Sequence, residues 1–247
     1  MRNRIQEFHD LYDLSRHAAE YISLTSQKCV DKYGFFTLVL SGGKTPGLLY
    51  KILSSPPYNT TIPWNRTHLF WGDERCVPPE HPESNYFLAH RSFISQVGIS
   101  ETNIHRISGE LESPYEAAEL YECELRDFFK ISDTDYCTFP SFHLILLGMG
   151  SDGHTASLFH GDSALEQKRR WVAVSHAPEG ISPSWRITLT LPVINNADRI
   201  LFLVSGSKKP DIVKAILNDP KAMFTLPAAR VSALREVIWY LDGMIHG

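Results

Sequence analysis

His143-Leu144-Ile145-Leu146-Leu147-Gly148-Met149-Gly150-Ser151-Asp152-Gly153-His154 is the stretch on which the reading of this chain turns. The apolar run has the length and branching of a strand buried on both faces, as in a parallel sheet. The glycines that follow free the backbone to turn sharply and to approach a ligand closely. His154 is thereby placed at the carboxyl end of a strand, where open α/β sheets carry out their chemistry. The segment through Gly161 is expected to hand over to a helix, whose unpaired first amides and dipole would stabilise a developing negative charge beside a titratable base. A lone turn histidine more often makes only a local hydrogen bond, so its neighbours in the fold carry the weight.

Outward from that segment, short apolar runs predict strands over 35–40, 67–71, 171–175, 186–191, 199–204 and 237–241. Helical periodicity predicts an amphipathic helix from Ile5 to Lys28, with Phe8, Leu14, Ala18 and Ile22 on its apolar face, and further helices over 48–53, 85–97, 114–129 and 210–217. The alternation predicts one Rossmann-like three-layer α/β domain over 1–247, with a mainly parallel sheet flanked by helices. The proline-bearing stretches 54–63 and 177–183 are too short for interdomain linkers and predict surface connections.

The chain has 247 residues, 43% of them hydrophobic, enough to bury a sizeable core. Its formal net charge of -4 leaves no electrostatic footprint for nucleic acid. Cys29, Cys76, Cys123 and Cys137 form no CxxC pair, so neither a zinc site nor a disulfide framework is indicated, and a reducing compartment fits. The first residues mix charges throughout and read as neither signal peptide nor membrane anchor; a cytoplasmic protein without a membrane partner is expected.

Three further segments carry chemistry. Ser41-Gly42-Gly43-Lys44-Thr45-Pro46-Gly47 follows a strand and reads as a phosphate cradle, with Thr45 as helix cap and Pro46 as the first helical residue. It ends like a nucleotide-binding P-loop, but Leu38 stands where that motif needs its first glycine, so a nucleoside triphosphate is not implied. Trp71-Gly72-Asp73-Glu74-Arg75, followed by Glu83-Ser84-Asn85-Tyr86, brings a forked cation and two carboxylates to another strand end. Arg186 and Lys209 place cations near two more, suited to neutralising a phosphate, although singly such residues are mostly solvated surface charges.

Taken together, SGGKTPG, WGDERCVP with ESNY, GMGSDGHTASLFHG, RITLTLPVINNA, GSKK and LPAARV with WYLD resemble the 6-phosphogluconolactonases, in order and at similar intervals along nearly the whole chain. That family is related in fold to the glucosamine-6-phosphate deaminases. The resemblance implies hydrolysis of 6-phospho-D-glucono-1,5-lactone to 6-phosphogluconate, the second step of the oxidative pentose phosphate pathway, with no cofactor and no metal. It implies His154 as general base, Asp152 as its orienting partner and Arg75 at the carbonyl end. Ser41, Gly42, Gly43, Lys44, Thr45, Asp73, Arg186 and Lys209 would bind the substrate, with phosphate contacts among them. The partner is a small sugar-phosphate lactone, and the chain a monomer or weak homo-oligomer.

Three other readings stand against this one. In the deaminases a glutamate five residues after the motif histidine partners it, and a tyrosine follows the Asp-Glu pair; here those positions are Phe159 and Arg75. His160 stands where the lactonase motif usually has proline. A non-catalytic sugar-phosphate sensor is the other alternative, but the chain has no room for an added DNA-binding helix pair. A serine hydrolase is disfavoured because neither Ser41 nor Ser157 lies in a GxSxG elbow.

Overall fold

The computed structural model describes residues 2–135, 137–206 and 209–242. In chain order its elements are β1 (Arg2–Phe8), α1 (Leu11–Tyr33), β2 (Phe36–Leu40), α2 (Lys44–Leu53), α3 (Tyr58–Thr61), β3 (Thr67–Trp71), β4 (Asp73–Arg75), α4 (Asn85–Ser92), β5 (Ile104–His105), α5 (Pro114–Phe129) and β6 (Leu144–Leu147). There follow β7 (Val172–His176), β8 (Trp185–Leu189), α6 (Leu191–Asn195), β9 (Arg199–Val204), α7 (Pro210–Asn218) and β10 (Glu236–Asp242). Seven strands form one sheet in the order β1-β10-β9-β6-β2-β3-β5. Every pairing in it is parallel. All residues of β2 and β6 are buried, as the unbroken runs FTLVL and LILL require of central strands covered on both faces.

This order positions the site. After β2 the chain moves to β3 and β5 on one side; after β6 it moves to β9 and β10 on the other. The connections therefore diverge between β2 and β6, and a crevice opens beyond the carboxyl ends of those two strands. Two buried tyrosines fix the neighbouring strand ends. The Tyr50 hydroxyl of α2 donates to Ser41 O at 2.6 Å and accepts from Ser41 N at 3.2 Å, and the Tyr121 hydroxyl of α5 bridges Trp71 N and O at 3.0 and 3.1 Å. Backbone groups that leave the ladder at these points are thus paired inside the protein.

Several elements differ from the sequence reading. The N-terminal helix does not begin at Ile5. Arg2–Phe8 instead pairs with β10 at the sheet edge, and α1 starts after Asp10, whose carboxylate accepts from Asp13 N at 2.8 Å. The runs at 171–175 and 186–191 do not join the main sheet; with β4 they form a separate antiparallel sheet, β4-β8-β7. Only 177–184 connects β7 to β8, a span that closes a hairpin but is too short for a parallel crossover. Helix α2 begins at Lys44, with Gly43 and not Thr45 at its cap. The helix at 85 ends at Ser92, where buried Phe93 turns at φ -152 into a short 3-10 turn. The short strands β4 and β5 were not foreseen.

Candidate functional site

A cavity of about 180 Å³ lies in the crevice at the divergence point. Ser41, Gly42, Gly43, Lys44 and Thr45 line it from the β2–α2 turn, Asp73 and Arg75 from β4, Gly150 and His154 from the turn after β6, and Lys209 from the N-cap of α7. Asp152 stands behind His154. Arg186 does not line the cavity: it lies beneath, 4% exposed, directly across the antiparallel ladder from Arg75. Ser207 and Lys208 of the GSKK segment lie outside the described residues.

The expected helix after His154 is absent. Residues 148–161 form a chain of turns without a helix, so no helix dipole supports the imidazole from that side. The turn is closed by Gly150 N donating to His154 O at 2.9 Å, Gly153 N to Gly150 O at 3.2 Å and Thr155 Oγ1 to Gly148 O at 2.8 Å. Gly153 sits at φ +78, and its carbonyl accepts from Ala228 N at 2.9 Å, which ties the loop to the C-terminal part of the chain. Gly150 is required for a different reason: a Cβ there would lie 2.3 Å from His154 Cε1 and Nδ1 and 2.5 Å from Asp152 Oδ1.

Asp152 Oδ1 is 2.6 Å from His154 Nδ1 and also accepts from His154 N at 3.2 Å. The hydrogen bond to the imidazole is the first cause that holds the Asp152 carboxyl below its ordinary pKa. An ionised carboxylate only accepts, so Nδ1 carries the proton and the neutral ring keeps its lone pair on Nε2. The Phe159 ring packs on the imidazole with centroids 4.7 Å apart. The position that carries a glutamate in the deaminases is here a buried apolar contact.

On the opposite wall, Gly43 adopts φ 94 at the N-cap of α2 with no side-chain cap, so the first amides of that helix lack an intrahelical partner. Asn85 shapes this loop. Its Nδ2 donates to Asp73 O at 2.9 Å and lies 3.3 Å from Asp73 Oδ1, while its Oδ1 presses on Gly42 so closely that a Cβ there would come within 1.8 Å. Asp73 Oδ2 accepts from Ser157 Oγ at 2.6 Å, which joins the β4 strand to the histidine loop. Buried Glu74 does not orient the Arg75 guanidinium; its carboxylate gathers Arg75 N, Asn85 N, Tyr86 N and Ser84 Oγ at 2.7–3.0 Å. It thereby caps α4, and burial raises its pKa against those donors. The Arg75 guanidinium itself is held by Glu83, 3.5 Å from Oε2.

The Arg186 guanidinium makes no side-chain hydrogen bond or ion pair among the described residues, and its buried Nη1 is orphaned. Burial first, and the charge of Arg75 second, lower its pKa from the ordinary guanidinium value. Burial also lowers that of Lys209, against the opposing pull of Asp242. A cluster of under-neutralised cations beside orphan amides is an anion-binding arrangement.

The family described as glucosamine-6-phosphate isomerases/6-phosphogluconolactonase matches residues 9–239. The chain belongs to this family. It is 40% identical over 243 residues to 6-phosphogluconolactonase 3, chloroplastic, of Arabidopsis thaliana, covering 94% of this chain and 72% of that one. It is 39% identical over 215 residues to the 6-phosphogluconolactonase of Synechocystis, covering 87% and 85%. Among solved structures, the 6-phosphogluconolactonase of Thermotoga maritima superposes with a TM-score of 0.82 at 30% identity, covering 98% of this chain and all of the other. A monomeric glucosamine-6-phosphate deaminase reaches a TM-score of 0.79 at 20% identity, covering 97% of each chain, a likeness of fold alone. Both branches of the family thus share the architecture, and the side chains around His154 must distinguish them.

Asn85 and Glu74 are what sequence reasoning missed. Ser84, beside Asn85, caps α4 by accepting from Phe87 N at 3.0 Å.

Proposed function

We propose that this protein hydrolyses 6-phospho-D-glucono-1,5-lactone to 6-phosphogluconate, with His154 as general base. The observation that carries this reading is the Asp152–His154 pair at 2.6 Å, with His154 in the wall of a cavity that Lys44 of the β2–α2 turn, Arg75 and Lys209 also line. Phe159 against the imidazole, in place of a carboxylate, favours the lactonase over the deaminase.

The chemistry needs little from the protein. Gly42, Gly43, Thr45 and Lys209 hold the 6-phosphate, and the buried Arg186 adds positive charge from beneath; Ser41, Lys44 and Asp73 contact the same substrate. Anchoring the phosphate brings the far end of the sugar, the lactone carbonyl, to the base. His154 Nε2 takes a proton from water as its oxygen attacks C1, and Arg75 stabilises the oxyanion of the tetrahedral intermediate. Collapse breaks the bond from C1 to the ring oxygen. The imidazolium returns its proton to the departing alkoxide, which becomes the C5 hydroxyl; C1 is left as a carboxylic acid, which loses water's second proton to solvent and becomes the carboxylate. Asp152 stabilises the imidazolium between the two transfers.

We assign the protein to the cytoplasm, in keeping with four free, scattered cysteines, and read it as a monomer or weak homo-oligomer. Among the described residues no helix is long and apolar enough to cross a membrane. The test is a pair of assays on one preparation: hydrolysis of freshly made lactone, and ammonia release from glucosamine 6-phosphate. Lactone consumption above the spontaneous rate is expected, and ammonia release without it would refute the proposal.

A further inference from the structure

Helices α2 and α4 meet where Gly47 faces Leu88, with Leu88 Cδ1 3.8 Å from the position of a Cβ on Gly47. Beside this contact a groove of about 990 Å³ opens to solvent and runs into the reaction cavity. Gly43, Lys44, Arg75 and Asn85 line both. Lys44 and Lys51 stand on the groove face of α2, two helical turns or about 10 Å apart along the axis, and Arg91 faces them from α4.

The charge of this groove is one-sided. Lys44, Lys51 and Arg91 have no acidic partner among the described residues, and the groove's one acidic residue, Glu83, is already engaged with Arg75 at 3.5 Å. In a chain of formal net charge -4, three such cations along one concave surface focus positive potential there. A sugar monophosphate anchored in the reaction cavity leaves Lys51 and Arg91 unused. We infer that the α2–α4 groove is a second anion subsite, which takes the distal phosphate of a sugar bisphosphate whose first phosphate lies in the reaction cavity. Because the two cavities share lining residues, such a ligand excludes the lactone and inhibits competitively. This inference rests on the reading of the cavity as a sugar-phosphate site.

The test compares glucose 1,6-bisphosphate with glucose 6-phosphate, by calorimetric titration and as inhibitors of lactone hydrolysis, in the wild type and in the double variant Lys51→Ser/Arg91→Ser. The wild type is expected to bind the bisphosphate about tenfold or more tightly than the monophosphate, a gain of about 1.4 kcal/mol. The double variant should lose this preference while keeping its monophosphate affinity and its kcat/KM for the lactone. Equal affinities in the wild type overturn the subsite, as does a preference that survives the double substitution. A parallel loss of monophosphate affinity in the double variant also overturns it, since that is a net-charge effect. Failure of glucose 6-phosphate to bind at all is a separate result, which refutes the underlying reading and the subsite with it.

Discussion

Replacing Gly150 by alanine adds one methyl group at the point where the histidine loop folds back on itself. The backbone of Gly150 lies outside the left-handed region that penalises a side chain, so the turn itself tolerates alanine. The new Cβ, however, would stand 2.3 Å from two atoms of the His154 ring and 2.5 Å from Asp152 Oδ1. Ordinary contact between carbon atoms is about 3.5 Å, so the ring must retreat by about 1 Å. A displacement of that size at the reacting group costs about 100-fold in rate. The residues proposed to anchor the phosphate lie away from this loop, so the loss should fall on kcat with KM changed less than about threefold. Initial rates on fresh lactone, corrected for spontaneous hydrolysis, measure the first quantity, and thermal unfolding checks that the variant folds. A folded Gly150→Ala protein with wild-type kcat would refute the claim that the imidazole acts from the position described.

Further perturbations separate the parts of the site. Gly42→Ala drives a Cβ to within 1.8 Å of Asn85 Oδ1, so it should raise KM for the lactone by about tenfold or more while sparing the His154 loop, as saturation kinetics would show. Lys209→Ala should likewise raise KM. Arg186→Met should do the same and yet leave thermal stability unchanged or improved, because a buried cation with an orphaned Nη1 costs the free protein desolvation energy; a marked fall in Tm would contradict this. Asp152→Asn should lower kcat by about 100-fold or more through loss of the imposed tautomer. Because the folded Asp152 pKa is depressed, its stabilising contribution is present above the unfolded carboxylate value of about 3.9 and is lost as pH falls through the lower folded value. The stability difference between wild type and Asp152→Asn should therefore shrink below about pH 4 in acid-unfolding curves. Half-exposure of the Asp152 side chain keeps this contribution modest.

The central architecture was legible because β2, β3, β6 and β9 are buried along most of their length and so write themselves as short apolar runs. β1 was hidden: Arg2-Asn3-Arg4-Ile5-Gln6-Glu7-Phe8 carries charges suited to an edge, and its pairing with β10 comes from the far end of the chain. β4 is only Asp73-Glu74-Arg75, extended because β8 lies beside it and not because those residues favour strands. The second sheet had one available clue, the short connection 177–184, which is incompatible with a parallel crossover. His154, Arg75 and the Ser41–Thr45 turn, which line one cavity, and Asp152 beside His154 were legible as candidates because turn glycines and strand-end charges mark them locally. Asn85 and Glu74 act across the fold, on Gly42 and on the start of α4, and local pattern does not encode such contacts.

The central claim is that His154 moves the proton while other residues hold the substrate. Its most direct test is His154→Gln, studied by single-turnover lactone hydrolysis together with 6-phosphogluconate binding by calorimetry. Product affinity within about threefold of wild type, with turnover reduced by about 100-fold or more, is the predicted result. Turnover close to wild type in that variant would contradict the account.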